Sequence, residues 1–240
     1  MMADAARTAD DLAGRMRLLG TPERAASEKA YLKSSREHYG TSVPNMRIVA
    51  KEFLRAHPAL VHDELLALCS ALWSQPVHER RMLAVELLVA RPKLLDGGDL
   101  PWIEQRLRES ETWALVDSLA GQVVAAIVLT DRSQVATLDR WVSDNDFWIR
   151  RSAVLGLSKV LRNGDELERF FRYADTLLAE KEFFIRKVLG WVARETGRCH
   201  PDEVSAWLRR NLVRMNGVTI REAVKHLPDG PEILSAWKSR

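Results

Sequence analysis

The sequence predicts an all-α fold, and within that class an α-solenoid whose helix pairs stack into a curved array. Three observations carry this. Apolar residues recur at helical spacings along nearly the whole chain, with no run of alternating apolar and polar residues to mark a strand. Clusters of glycine, proline and asparagine interrupt the pattern at short intervals. A short motif also returns with a period near 35 residues, enough chain for two helices.

Taken in order, residues 1–20 predict an N-terminal helix, peripheral within a single domain spanning 1–240. That segment carries acids early and lacks the apolar stretch of a secretory signal. Gly20-Thr-Pro22 and Gly40-Thr-Ser-Val-Pro44 bracket the next helical segments. Val61 to Trp73 places Leu65, Leu66, Leu68, Leu72 and Trp73 at helical spacings, and Val77 to Arg91 does the same with Met82, Val85, Leu88 and Val89. Further breaks fall at Gln75-Pro76, Gly97-Gly98, Asn163-Gly164, His200-Pro201 and Asn216-Gly217. About a dozen helices of 10–17 residues joined by short turns are expected.

The internal repeat is clearest in the second half. Ile149-Arg150-Arg151 is echoed by Ile185-Arg186-Lys187, 36 residues on, and by Ile220-Arg221-Glu222, 35 further. Stepping back 34 residues from Arg151 reaches Asp117, and 36 more reaches Arg81. One helix pair cannot bury its apolar face alone, so neighbouring pairs stack. The recurring basic position then forms a row along one side.

Composition excludes several classes. With 46% hydrophobic and 29% charged residues in 240, the chain is expected to be globular. No uninterrupted apolar stretch approaches the roughly 18–20 residues of a membrane span. Two cysteines, Cys69 and Cys199, exclude a disulfide scaffold and a cysteine-based zinc site, and a reducing cytoplasm is the natural compartment. HExxH, P-loop, GxGxxG and GxSxG motifs are missing, and the six histidines lack ligand spacing, so no metal is expected. The net charge is +3, but residues 181–240 hold twelve basic against seven acidic residues, a net of +5, while the rest stands at −2. That excess hints at a polyanionic partner; a solvated, arginine-rich helical surface explains it equally well.

Tryptophan is over-represented, with eight against six Phe and three Tyr. Trp113 lies four residues before Asp117, Trp148 three before Arg151, and Trp191 four after Lys187, so each pair shares a helix face. Each of these rings also reads as core packing with its indole N–H satisfied. Asp117 stands in an otherwise apolar stretch, Trp113-Ala-Leu-Val-Asp117-Ser-Leu-Ala, where a carboxylate is costly unless partnered or exposed in a groove. It reads either as the ion-pair partner of an arginine in the next repeat or as a carboxylate facing a cleft between aromatic walls.

From about Tyr31 to Leu227 the chain resembles the AlkD-like DNA alkylation repair proteins, DNA glycosylases built from HEAT-like repeats. The resemblance rests on Tyr31-Leu-Lys followed by Gly40-Thr-Ser-Val-Pro44, on Leu72-Trp73 with His78-Glu-Arg, and on Trp113-Ala-Leu-Val-Asp117. It continues through Asp144-Asn-Asp-Phe-Trp148-Ile-Arg-Arg151 and Arg221-Glu-Ala-Val-Lys225-His. Its most specific block is Lys181-Glu-Phe-Phe-Ile-Arg-Lys187-Val-Leu-Gly-Trp191-Val-Ala-Arg194-Glu. The resemblance implies a catalytic carboxylate at Asp117, indoles flanking the lesion's sugar at Trp113 and Trp191, a phosphate-holding arginine at Arg151, and an aromatic near the site at Tyr31. Arg81, Arg150, Lys187, Arg194, Arg221 and Lys225 are candidates for further phosphate contacts, about half of them expected to be structural ion-pair partners instead.

The implied activity is hydrolysis of the N-glycosidic bond of N3- or N7-alkylated purines in double-stranded DNA, without turning the base into a pocket. No lysine occupies a Schiff-base position, so a monofunctional glycosylase leaving an abasic site is expected. It would need no cofactor, metal or membrane and would act as a cytoplasmic monomer. The chain departs from the family pattern at Thr112, Ala114 and Ser42, which bears on substrate range more than on the reaction. Some relatives lack the Trp/Asp set and only bind DNA; this chain keeps it. A non-catalytic DNA-binding solenoid and a protein-interaction solenoid are the competing readings.

Overall fold

The computed structural model describes the backbone of residues 2–240 and the side chains of residues 4–240. The regular structure among them is helical: α1 (Met2–Leu18), α2 (Pro22–Leu32), α3 (Val43–Ala56), α4 (His62–Trp73), α5 (His78–Ala90), α6 (Leu100–Arg108), α7 (Trp113–Ser118), α8 (Ala125–Thr130), α9 (Val135–Trp141), α10 (Phe147–Gly156), α11 (Ser158–Leu161), α12 (Leu167–Leu177), α13 (Phe183–Gly197), α14 (Pro201–Arg210), α15 (Gly217–Ala223) and α16 (Gly230–Lys238). A π-helical turn, Leu119–Val124, follows α7. The all-α expectation holds. The one β-type pairing found among the described residues is an isolated bridge between Glu37 and Val77. Helices near the middle are shorter than expected, with six residues in α7, six in α8 and seven in α9. Trp113–Thr130, although interrupted by Asp117 and Gln122, is long and apolar enough to cross a membrane by length and composition. Half of that stretch is buried inside the protein, as in a core helix.

The breaker clusters act as caps. Thr21 Oγ1 accepts from the Arg24 amide with Pro22 at the first helical position, and Ser42 accepts from Asn45. Asp146, Glu182 and Asn216 cap α10, α13 and α15 in the same way. Each cap satisfies amides that have no partner within the helix.

The chain's contacts divide it into two compact units, residues 1–103 with 109–119, and residues 104–108 with 120–240. In the first, α1 buries Ala9, Leu12, Ala13 and Met16 and packs on α3 and α4, so the N-terminal helix belongs to this unit's core. The segment after α2 folds onto the start of α5, where the fully buried Glu79 carboxylate accepts the amides of Tyr39 (2.9 Å), Gly40 (2.7 Å) and Thr41 (3.2 Å). Gly40 is required there: its φ is +78°, and a Cβ would stand 2.1 Å from the Thr21 carbonyl oxygen.

In the second unit the repeat becomes physical. Trp141 Nε1 donates to Glu104, Tyr173 Oη to Asp139 and Trp207 Nε1 to Asp175, each at 2.8 Å. The partners are 37, 34 and 32 residues apart. Each acid thus serves the aromatic of the following repeat. Ile149, Ile185 and Ile220, the apolar residues of the sequence motif, are all fully buried. Arg150 turns back to the carbonyls of Asp144 (2.6 Å) and Asn145 (2.9 Å), and Arg186 Nε to that of Glu180 (2.8 Å). The arginine following the isoleucine therefore anchors its own loop in both repeats.

Candidate active site

In the first unit, three of the sequence-predicted residues come together. The rings of Tyr31 on α2 and Trp113 on α7 meet edge to face, with centroids 5.9 Å apart and planes at 89°. Asp117 follows Trp113 by about one helical turn and is only partly buried, as is Trp113; Tyr31 is exposed. The turn that launches α7 is held from behind. Arg36, itself buried, donates Nη1 to the Ser110 carbonyl (2.7 Å) and Nη2 to that of Glu109. Arg81 Nη1 reaches the same Glu109 carbonyl at 2.7 Å, its guanidinium lying 5.1 Å from the Trp73 ring. Trp73 Nε1 in turn donates to the Glu109 carboxylate (2.8 Å). These contacts fix the entry of α7 and so the position of Trp113. Burial lowers the Arg36 pKa, against the opposing pull of Glu111 and Glu109.

In the second unit, α13 carries Lys187, Trp191 and Arg194. Gly190 lies between them where α15 crosses; a Cβ there would come 2.6 Å from the Thr219 carbonyl oxygen and 2.7 Å from Glu222 Cβ. That close approach brings Glu222 among three predicted cations. Its carboxylate pairs with Lys187 (2.6 Å), Lys225 (3.0 Å) and Arg194. The glutamate side chain is 6% exposed, whereas Lys187 and Lys225 remain 44% and 51% exposed. Burial opposes the charge on Glu222, but Lys187, Lys225 and Arg194 outweigh it and hold the carboxyl below the usual glutamate range.

The remaining predicted residues are placed as follows. Arg151 is buried, donates Nη1 to the Phe184 carbonyl and lies 6.0 Å from that ring. Arg150 pairs with Glu180 at 2.6 Å. Arg221 lies 5.5 Å from the ring of Trp237. The structural share among the six candidate phosphate contacts is larger than the expected half. Arg150, Lys187, Arg194 and Lys225 are ion-paired, and Arg81 holds a main-chain carbonyl. The exposed lysines keep faces open to solvent.

The tryptophans sort by what their N–H groups do. Trp73, Trp102, Trp141, Trp207 and Trp237 each donate to an acceptor within the protein. Among the described residues, Trp113, Trp148 and Trp191 show no such bond. Trp148 is buried against Phe147 (4.4 Å) and Phe184 (4.9 Å), which makes it core. Trp113 and Trp191 are partly exposed. Sequence reasoning missed Arg36 and Glu222. Nothing in the sequence marks Arg36, but Glu222 occupies the repeat position of Arg151 and Lys187 with reversed charge, which was a visible signal.

The fold is that of an all-helical repeat protein in which the Trp113 and Trp191 indoles, the Asp117 carboxylate and the Lys187 and Lys225 amines are each left at least partly exposed. The sequence narrows this. Residues 12–227 match the family model described as DNA alkylation repair enzyme, and the chain belongs to that family. No curated protein sequence matches it. The fold is similar to that of a protein from Enterococcus faecalis described as a predicted DNA alkylation repair enzyme, with a TM-score of 0.79 and 20% identity over 87% of this chain and 97% of that one. It is also similar to AlkD2 from Streptococcus mutans, with a TM-score of 0.61 and 18% identity over 87% of this chain and all of that one.

Proposed function

We propose that the protein is a monofunctional DNA glycosylase that hydrolyses the N-glycosidic bond of cationic N3- or N7-alkylated purines in duplex DNA and leaves an abasic site. The observation that carries the reading is the Tyr31–Trp113 pair with Asp117 one turn beyond it, in a family whose business is alkylation repair. An alkylated purine is already cationic and leaves readily, so the protein must chiefly stabilise the positive charge that grows on the sugar. A fixed carboxylate does this electrostatically and can orient the attacking water. An indole face attracts the same developing charge, by roughly 0.5–2 kcal/mol according to desolvation. Asp117 takes the first role, and Trp113 and Trp191 the second. Tyr31, edge-on to Trp113, holds that ring in place.

Neutral purines are poor leaving groups, so undamaged DNA is spared by its own chemistry. Contacts to phosphate fix the register without reading sequence, a task for the exposed sides of Lys187 and Lys225; Arg151, which the resemblance gave that role, is buried on the Phe184 carbonyl instead. The enzyme acts as a cytoplasmic monomer and encloses no flipped base. The test is release of 7-methylguanine from methylated duplex DNA. Asp117→Asn is expected to abolish release while helical content and duplex binding persist. Near-normal excision by that variant removes Asp117 from the mechanism. Salt-sensitive duplex binding by the unaltered protein without any base release would leave a DNA-binding solenoid.

A further inference from the structure

Apart from the candidate active site, the first unit holds a buried polar cluster that secondary structure does not explain. His38 and His78, far apart in sequence, stack face to face with ring centroids 4.7 Å apart and planes at 9°. The His38 side chain is 1% exposed, yet neither of its ring nitrogens has a hydrogen-bond partner. Nδ1 of His78 and Oε2 of Glu28 are likewise buried and without one. Glu28 meets Arg24 only through its other oxygen, at 3.4 Å. Buried polar atoms without partners cost free energy comparable to a lost hydrogen bond, and four in one cluster are rare in a folded chain.

The geometry points to a cation as the missing partner. One ligand atom each from Glu28, His38 and Glu79 lie within 4.8 Å of one another. Glu28 Oε2 and His38 Nδ1 stand 3.8 Å apart, too far for a hydrogen bond. Two ligands of a tetrahedral ion with bonds of ~2.0–2.2 Å stand about 3.3–3.6 Å apart, so closing the set draws its widest pair together by up to ~1.5 Å. We propose that Glu28, His38 and Glu79 bind one divalent transition-metal ion of the zinc class, a structural staple joining α2, the segment that follows it, and the start of α5. An imidazole with carboxylates suits zinc or cobalt, whereas magnesium and calcium favour oxygen ligands alone. A protonated His38 paired with Glu28 would satisfy one ring nitrogen and leave the other orphaned. The staple has a consequence for the active site: Glu28 lies three residues before Tyr31 on α2, so fixing it steadies the ring that meets Trp113.

The test uses the full chain freed of metal by a chelator and titrated with Zn2+, Co2+ or Mg2+. The expected result is uptake of one equivalent of Zn2+ or Co2+, visible d–d absorption of low-coordinate Co2+, and no uptake of Mg2+. With Zn2+ at about 100-fold its dissociation constant, Tm should rise by ~5–10 °C. Glu28→Gln and His38→Gln should each weaken uptake at least ~10-fold, while His226→Gln leaves it unchanged. Where either variant fails to fold, the unaltered protein decides: Zn2+ must shift the ring-proton NMR signals of His38. Absence of stoichiometric uptake and of any Tm shift overturns the proposal and assigns the cluster to trapped water. Uptake that survives both substitutions, or that leaves the His38 signals unmoved, places the ion elsewhere and overturns it equally.

Discussion

Glu222 offers the sharpest test of how this protein meets polyanions. Its carboxylate joins Lys187, Lys225 and Arg194, three cations that otherwise suit phosphate. Replacing it by Gln takes the local formal charge of these four groups from +2 to +3. Breaking a fully buried pair typically costs 3–5 kcal/mol, and an exposed one less than 1. Here the acid is 6% exposed while its partners are 44%, 51% and 21% exposed, so the released cations regain water and about 1–3 kcal/mol is expected. For a chain of this size that is a Tm loss of about 2–12 °C. Duplex binding should move the opposite way. Affinity should rise several-fold at low salt, and the slope of log K against log salt should steepen by up to ~0.9 for each phosphate newly neutralised. The assay is fluorescence anisotropy with a duplex over a salt series, at a temperature where circular dichroism shows the variant folded. Weaker binding, or an unchanged slope with helical content intact, would refute the assignment of these cations to a DNA-facing surface.

Two further outcomes follow from packing and charge. Gly190→Ala should destabilise the protein by about 1–3 kcal/mol in urea unfolding, because the added methyl meets the Thr219 carbonyl and Glu222 Cβ; the helix preference for Ala over Gly recovers at most ~1 kcal/mol, so a net gain in stability would show that α13 and α15 separate freely. Asp144 accepts both terminal nitrogens of Arg108 (2.9 and 2.7 Å) and the Asp146 amide (2.8 Å), and the Arg108 bonds hold its carboxyl at a pKa of about 2. A lowered pKa stabilises the fold above the ordinary aspartate range and ceases to do so as pH falls through about 2. Asp144→Asn should therefore cost up to ~2 kcal/mol at pH 7, and the gap should close toward pH 2. A gap in Tm that stays constant across that range would count against the pair.

The sequence by itself determined the helical class, most turn positions and the repeat. These are local matters: apolar spacing selects helix, and proline, glycine and capping side chains act within a few residues of themselves. Thus Pro22, Pro44, Pro201 and Gly217 all lie at helix starts, as read. The pairing of Trp113 with Asp117 was legible for the same reason, since residues four apart on a helix must share a face. Tertiary structure decided what each charge does. Arg151 and Lys187 occupy the same place in the repeat, yet Arg151 is buried on the Phe184 carbonyl while Lys187 keeps one side in solvent. The eight tryptophans are indistinguishable by composition; only the fold gives five of them acceptors and leaves Trp113 and Trp191 partly exposed. Likewise no spacing rule could join His38 to His78 or bring Arg36 to Ser110. Such meetings depend on how helices pack over tens of residues, where the distances that govern electrostatics and hydrogen bonding are set by the chain's closure and not by its order.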